Sequence, residues 1–161
     1  MTTRLTSIVT LLVAAGLVLG FSAPTLAADD TPPSSPTKIV LEPQGNQMKY
    51  ATTEFSVEPG EKVRLVFKNT ASSPAMIHNV VLLSTSDDAV VQEVGQAGAG
   101  AGASADYVPD HDAILAATDV AKPGETVEVT FTAPEETGEY TYVCTYPGHW
   151  ATMQGTMIVE E

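Results

Sequence analysis

Cys144, His149 and Met153 stand as Cys-x4-His-x3-Met in the run Tyr140-Thr-Tyr-Val-Cys-Thr-Tyr-Pro-Gly-His-Trp-Ala-Thr-Met-Gln-Gly155. A second histidine, His78, opens the apolar stretch Asn79-Val-Val-Leu-Leu83, just after Met76-Ile77. A thiolate, two imidazoles and a thioether are the donor set of a copper electron-transfer centre. Three strong ligands (N, N, S) with a weak axial sulfur serve Cu(I) and Cu(II) alike with little rearrangement. Each residue alone has a plainer use. A lone cysteine is commonly a small buried hydrophobe, Met153 would serve as core filler, and His149 as a loop histidine. Their joint spacing, with Pro147-Gly148 bending the loop between them, points to a metal instead. His78 is distant in sequence and joins the set only if its strand is brought beside that loop. The third histidine, in Asp110-His111-Asp112, reads as a solvated loop residue.

The chain has 161 residues, one cysteine, and 20 acids against 7 bases, for a net charge of −13. That length allows one compact domain. The acidity excludes a nucleic-acid partner, because nothing could neutralise a run of phosphates. A single cysteine excludes an intrachain disulfide framework and any zinc site built from several thiolates.

The N-terminus reads as a secretory signal over residues 1–27. Arg4 precedes an apolar run from Ile8 to Phe21, and Thr25 and Ala27 suit cleavage after Ala27. That run is about 14 residues, short of the ~20 that span a bilayer, so a retained anchor is the lesser alternative. Cleavage removes Arg4 and no acid, taking the charge to −14. Residues 28–37 (ADDTPPSSPT) read as a Pro/Ser-rich flexible tether, and 38–161 as the folded domain. In an oxidising compartment, burial or metal ligation is the expected fate of Cys144.

The elements that must position these residues are short strands. Lys62–Lys68 alternates, with Val63, Leu65 and Phe67 on one face; Thr126–Thr132 does the same with Val127, Val129 and Phe131. Each follows a Pro-Gly-Glu turn, and the pattern PGExVxxxF occurs twice, as equivalent devices in the two halves of a β-sandwich. Further strands are expected at 39–42, 47–52, 55–57, 79–83, 140–144 and 156–159. Ala89, Val90, Val91 and Val94 have helical spacing, so 86–105 reads as a helical flap outside the sheets. The flap is expected to dissolve into the Gly/Ala run GQAGAGAGASA. The expected fold is all-β, a Greek-key β-sandwich of seven to eight strands with a short helical flap.

With these residues in view, the chain resembles a blue copper protein of the azurin/auracyanin group of cupredoxins over most of 38–160. The matching segments are Gln44-Gly45-Asn46…Met48, Met76-Ile77-His78-Asn79, and Cys144-Thr145-Tyr146-Pro147-Gly148-His149…Met153…Gly155. The resemblance implies one type 1 copper ion, with His78, Cys144 and His149 as equatorial ligands and Met153 as the axial one. It implies that Asn79 ties the two ligand segments together with Thr145. It also implies a docking face for redox partners around His149, made of Met48, Met76, Tyr146, Pro147, Gly148 and Trp150.

Three departures stand out. Ile77 replaces a glycine whose carbonyl approaches copper in azurin, the azurin disulfide is absent, and Trp150 replaces a smaller residue. The function implied is that of an exported, periplasmic or extracellular monomeric one-electron carrier, not an enzyme and not membrane-inserted after signal cleavage. Redox proteins, c-type cytochromes among them, would be its partners. A copper oxidase would need a trinuclear cluster fed by histidines flanking the cysteine, where Val143 and Thr145 stand. A copper chaperone or storage protein on the same scaffold is the alternative.

Overall fold

The structure, a computed structural model, describes residues 35–161; the expected signal (1–27) and residues 28–34 of the expected tether lie outside the described residues. In chain order the strands are β1 (Thr37–Leu41), β2 (Glu54–Val57), β3 (Lys62–Lys68), β4 (Val81–Leu83), β5 (Ile114–Ala117), β6 (Thr126–Thr132), β7 (Gly138–Val143) and β8 (Gln154–Val159). Among the described residues one α-helix, α1 (Asp88–Ala101), lies between β4 and β5 and is followed by a 3-10 turn, Ala103–Ala105. Two sheets result, ordered β1-β3-β6 and β2-β8-β7-β4-β5. β1 runs parallel to β3 and β2 parallel to β8, while the other pairings are antiparallel. Thr37, assigned above to the tether, already pairs with Val63. Among the described residues no helix is long and apolar enough to cross a membrane.

The period-2 pattern of β3 and β6 does what it promised. Val63, Leu65 and Phe67 are buried between the sheets with Phe131, and Val127 and Val129 pack against them. Burying each such side chain fully contributes about 1.5–3 kcal/mol. The two PGE turns are alike in detail. Glu61 N–H donates to the Glu58 carbonyl (3.2 Å) and Glu125 N–H to the Lys122 carbonyl (2.9 Å), with Gly60 and Gly124 at φ 68° and 86°. Proline at the second position and a positive-φ glycine at the third make both type II turns. Each glutamate then accepts from the first residue's own N–H, Glu58 and Lys122 respectively. The strands they introduce do not serve the two halves of the sandwich as expected: they are antiparallel neighbours in one sheet, so the repeated device sits at its two opposite ends.

Three further expectations need correction. Residues 47–52 form no strand, only an isolated bridge from Pro43 to Tyr50. Gly45 at φ 60° turns the chain there, and Asn46 Oδ1 accepts from the N–H groups of Ser72 and Ser73. β5 was not anticipated, because Ile-Leu-Ala-Ala carries no alternation. The helix does not dissolve at the Gly/Ala run: it continues to Ala101.

Its start is capped by Asp87, whose Oδ1 accepts from the N–H groups of Ala89 and Val90. Val91 and Val94 then pack on Val81, Leu83 and Val143, the residues of β4 and β7 that point away from the sandwich interior. Tertiary packing overrides the poor propensity of glycine. The glycines are also needed where they are. A Cβ on Gly95 would lie 2.5 Å from Trp150 Cβ and Cγ, and one on Gly98 2.5 Å from the Thr145 carbonyl oxygen.

Candidate metal centre

Alternation along β7 decides where the cysteine goes. Val143 faces α1, while Tyr140, Tyr142 and Cys144 face the interior of the sandwich. Beyond Cys144 the chain loops out and returns as β8. The loop is closed at its base by Cys144 N–H donating to the Met153 carbonyl (3.0 Å). Within it, Tyr146-Pro147-Gly148-His149 forms a third Pro-Gly turn, with Gly148 at φ 83° and His149 N–H donating to the Tyr146 carbonyl (3.0 Å). That turn folds His149 back over Cys144. The His149 carbonyl accepts from Met153 N–H (2.9 Å), so the backbone links all three chemically notable residues of the loop.

His78 arrives from the other side. It forms an antiparallel bridge with Ala121, its N–H and carbonyl both hydrogen-bonded there (3.2 and 2.7 Å). Next to it, Asn79 leaves the β4 ladder to serve the loop. Its Nδ2 donates to Thr145 Oγ1 and its Oδ1 accepts from Thr145 N–H, both at 2.9 Å. Tyr50 Oη donates to the Asn79 carbonyl (2.7 Å). Two segments far apart in sequence are thereby fixed to one another through fully buried groups.

The outcome is a convergence of three donor atoms. His78 Nδ1 lies 3.1 Å from His149 Nδ1, and Cys144 Sγ lies 3.9 and 3.6 Å from these two nitrogens. All three residues are buried. One ion at about 2 Å from each nitrogen and about 2.3 Å from sulfur fits separations of this size. Electrostatics fit as well. Burial, reinforced by His149, holds the His78 imidazole down at about 4, and burial lowers His149 too. Both rings are therefore neutral near pH 7, with lone pairs free for a cation. Burial pushes the Cys144 thiol up to about 12, while backbone N–H groups of Asn79 and Tyr146 pull the other way. Such a thiol ionises in place only beside a strong positive charge, which a metal supplies.

Residues 37–160 match the family described as copper binding proteins, plastocyanin/azurin family. The chain belongs to that family. Auracyanin-A of Chloroflexus aurantiacus is 39% identical over 127 residues, covering 78% of this chain and 76% of that one. Azurin of Pseudomonas aeruginosa is 33% identical over 156 residues, covering 92% and 97%. The solved structure of auracyanin A, a "blue" copper protein, has a TM-score of 0.72 at 38% identity, covering 78% of this chain and 100% of that chain. This cupredoxin is accordingly a copper protein, and the site formed by His78, Cys144 and His149 is consistent with one type 1 copper.

The remaining singled-out residues fall in several places. Met153 is fully buried between the sheets. The Ile77 side chain lines an open groove with Ser72, Pro74, Lys122 and Pro123. Met48 is 42% exposed, Pro147 and Gly148 are exposed, and Met76 and Tyr146 are half-buried. Trp150 is half-buried with its ring against Gly95, joining the cluster under α1. His111 lies away from the donor set, its Nε2 3.7 Å from Glu93 of α1 and its Nδ1 accepting from Ala113 N–H. Two residues that nothing in the sequence singled out also support the site. Asn69, buried, donates from Nδ2 to the carbonyls of Met76 and Ala121. Asp106 offers its carbonyl to Asn79 Nδ2.

Proposed function

We propose that this cupredoxin is an exported, monomeric one-electron carrier, periplasmic or extracellular, and not an enzyme. The observation that carries this reading is the buried convergence of two neutral imidazoles and one thiol on a scaffold that holds them independently of the ion. Copper, when bound, supplies the Cu(II)/Cu(I) couple. The chain's part is to keep the donors still, since Asn79, Ala121 and the loop's own hydrogen bonds resist movement between oxidation states. Small movement means a small reorganisation cost, which is what fast electron exchange requires.

Met153 is the axial ligand in this reading, supported by its burial and by its backbone bonds to Cys144 and His149. Ile77 stands where azurin has glycine, and its side chain lies in the groove lined by Ser72, Pro74, Lys122 and Pro123. Partners dock where His149 keeps its 5% of exposed surface, over Met48, Met76, Tyr146, Pro147 and Gly148. An apolar rim of this kind excludes water and allows close, transient contact. Trp150 contributes from below by bracing the loop. The net charge of −13 favours partners with basic faces, c-type cytochromes among them, through steering that weakens as salt rises. Burial of all three donors speaks against a chaperone or storage protein, which exchanges metal through exposed ligands.

The test is one spectrum. Copper(II)-loaded protein is expected to show an intense blue thiolate-to-copper band that Cys144→Ser abolishes. A colourless Cu(II) form would defeat the carrier reading and favour metal storage.

A further inference from the structure

The chain between α1 and β5 contains two consecutive residues with left-handed backbone, Asp106 at φ 50° and Tyr107 at φ 56°. Aspartate enters that region with some ease, but for a bulky residue such as tyrosine it is an outlier. Strain of this sort persists only where surrounding contacts over-determine it, and it gathers at ligand clamps. The contacts are present, and the side-chain ones among them, with the Asp106 carbonyl, lead to the metal centre.

Asp106 holds the His78 side. Its carbonyl accepts from Asn79 Nδ2 (2.9 Å), one residue from His78. Its Oδ1 accepts from Val120 N–H (3.1 Å), one residue from Ala121, the bridge partner of His78. Tyr107 holds the loop side. Its ring meets Tyr146 edge-on at 4.9 Å, and Tyr146 in turn lies 4.9 Å from the His149 ring. The pair is itself locked to the preceding turn by Tyr107 N–H donating to the Gly102 carbonyl (3.0 Å). Gly98 leaves room for the Tyr107 carbonyl, which would be 2.8 Å from any Cβ there.

We propose that Asp106 and Tyr107 are positioning residues for copper, a two-residue left-handed brace that sets the His78 strand and the His149 loop at a fixed distance. The left-handed turn is what lets one residue face Asn79 and Val120 while the next faces Tyr146. The inference rests on the copper assignment and not on the identity of any redox partner.

The test uses copper-loaded variants read by the blue band and by copper affinity in competition with a chelator. Asp106→Asn tolerates the left-handed region and keeps an acceptor for Val120, so it should match the parent. Asp106→Val, β-branched and without an acceptor, should shift the band and weaken copper by roughly 10-fold or more, as loss of groups supporting metal ligands does. Tyr107→Leu should do the same by removing the contact with Tyr146. Should Asp106→Val fail to fold, Tyr107→Leu, at a half-exposed position, decides alone. A brace that merely stabilises the fold would leave Tyr107→Leu with the parent band and parent affinity, and that result overturns the proposal. A parent protein with no blue band would instead defeat the copper reading beneath it.

Discussion

Replacing Gly98 and, separately, Gly100 with alanine applies one chemical change twice to the same helix. Alanine is worth up to about 0.5–1 kcal/mol over glycine inside a helix, and both positions lie within α1. At Gly100 a new Cβ meets nothing within 4 Å, so the variant keeps whatever gain the helix end allows. At Gly98 the same Cβ would sit 2.5 Å from the Thr145 carbonyl oxygen and 2.8 Å from both Thr145 Cβ and the Tyr107 oxygen. Non-bonded atoms attract only from about 3.5 Å outward, and two of these three contacts are backbone, which cannot swing aside. Overpacking of this kind costs about 1–3 kcal/mol. Set against the helical gain, Gly98→Ala should lose up to about 2.5 kcal/mol and fall about 1–3 kcal/mol below Gly100→Ala. Denaturant titration of the copper-free proteins measures this through the midpoint at constant m. Because Thr145 adjoins Cys144, the blue band of copper-loaded Gly98→Ala should move as well. The close packing of helix on loop would be refuted by a Gly98→Ala protein as stable as Gly100→Ala.

Asn79→Ala should be costlier still. It strands the N–H and Oγ1 of Thr145, both buried, at about 1–3 kcal/mol each, for a loss of about 2–6 kcal/mol. A loss below about 1 kcal/mol with an unmoved blue band would show that the clamp is dispensable. The copper-free protein should also weaken in acid. His78 is held at about 4 when folded and returns to about 6.5 when unfolded, so between these values the unfolded chain binds the extra proton. That contribution is complete above pH 6.5 and disappears as pH falls toward 4, amounting to on the order of 3 kcal/mol for His78, with His149 adding in the same direction. Stability curves of the parent and of His78→Gln, compared across pH 6.5 to 4.5, isolate it. Parallel curves would contradict the assigned burial.

The parts of this protein that could be read from its residues are those whose signal is local. Val63, Leu65 and Phe67 alternate because they share the face of their strand that lies in the core, so the bounds of β3 and β6 were legible to the residue. Cys-x4-His-x3-Met was legible because one loop carries it, and its Pro-Gly turn declares the bend. What escaped depends on partners distant in sequence. α1 persists through glycines because Trp150 and Thr145 fill the space their missing side chains leave. Tyr50 looks like a strand residue and is buried like one, yet its neighbours turn at Gly45. Trp150 reads as an aromatic on a docking loop, and only the path of α1 reveals the surface it covers. Asp106 and Tyr107 give no sign at all, since a left-handed backbone in a non-glycine residue is imposed from outside.

The place of β8 has a bearing on how the protein comes into being. It lies between β2 and β7, so until it exists β2 has no neighbour and β7 presents an open edge. β2 must wait for a strand about a hundred residues further along, a closure that is slow and leaves unpaired edges exposed to aggregation. Met153 immediately precedes β8, and its backbone shuts the loop behind Cys144 and His149. The thiol is thus walled in by the same event that completes the sheet. During synthesis Cys144 is an ordinary reactive cysteine. Its protection begins when the last strand docks.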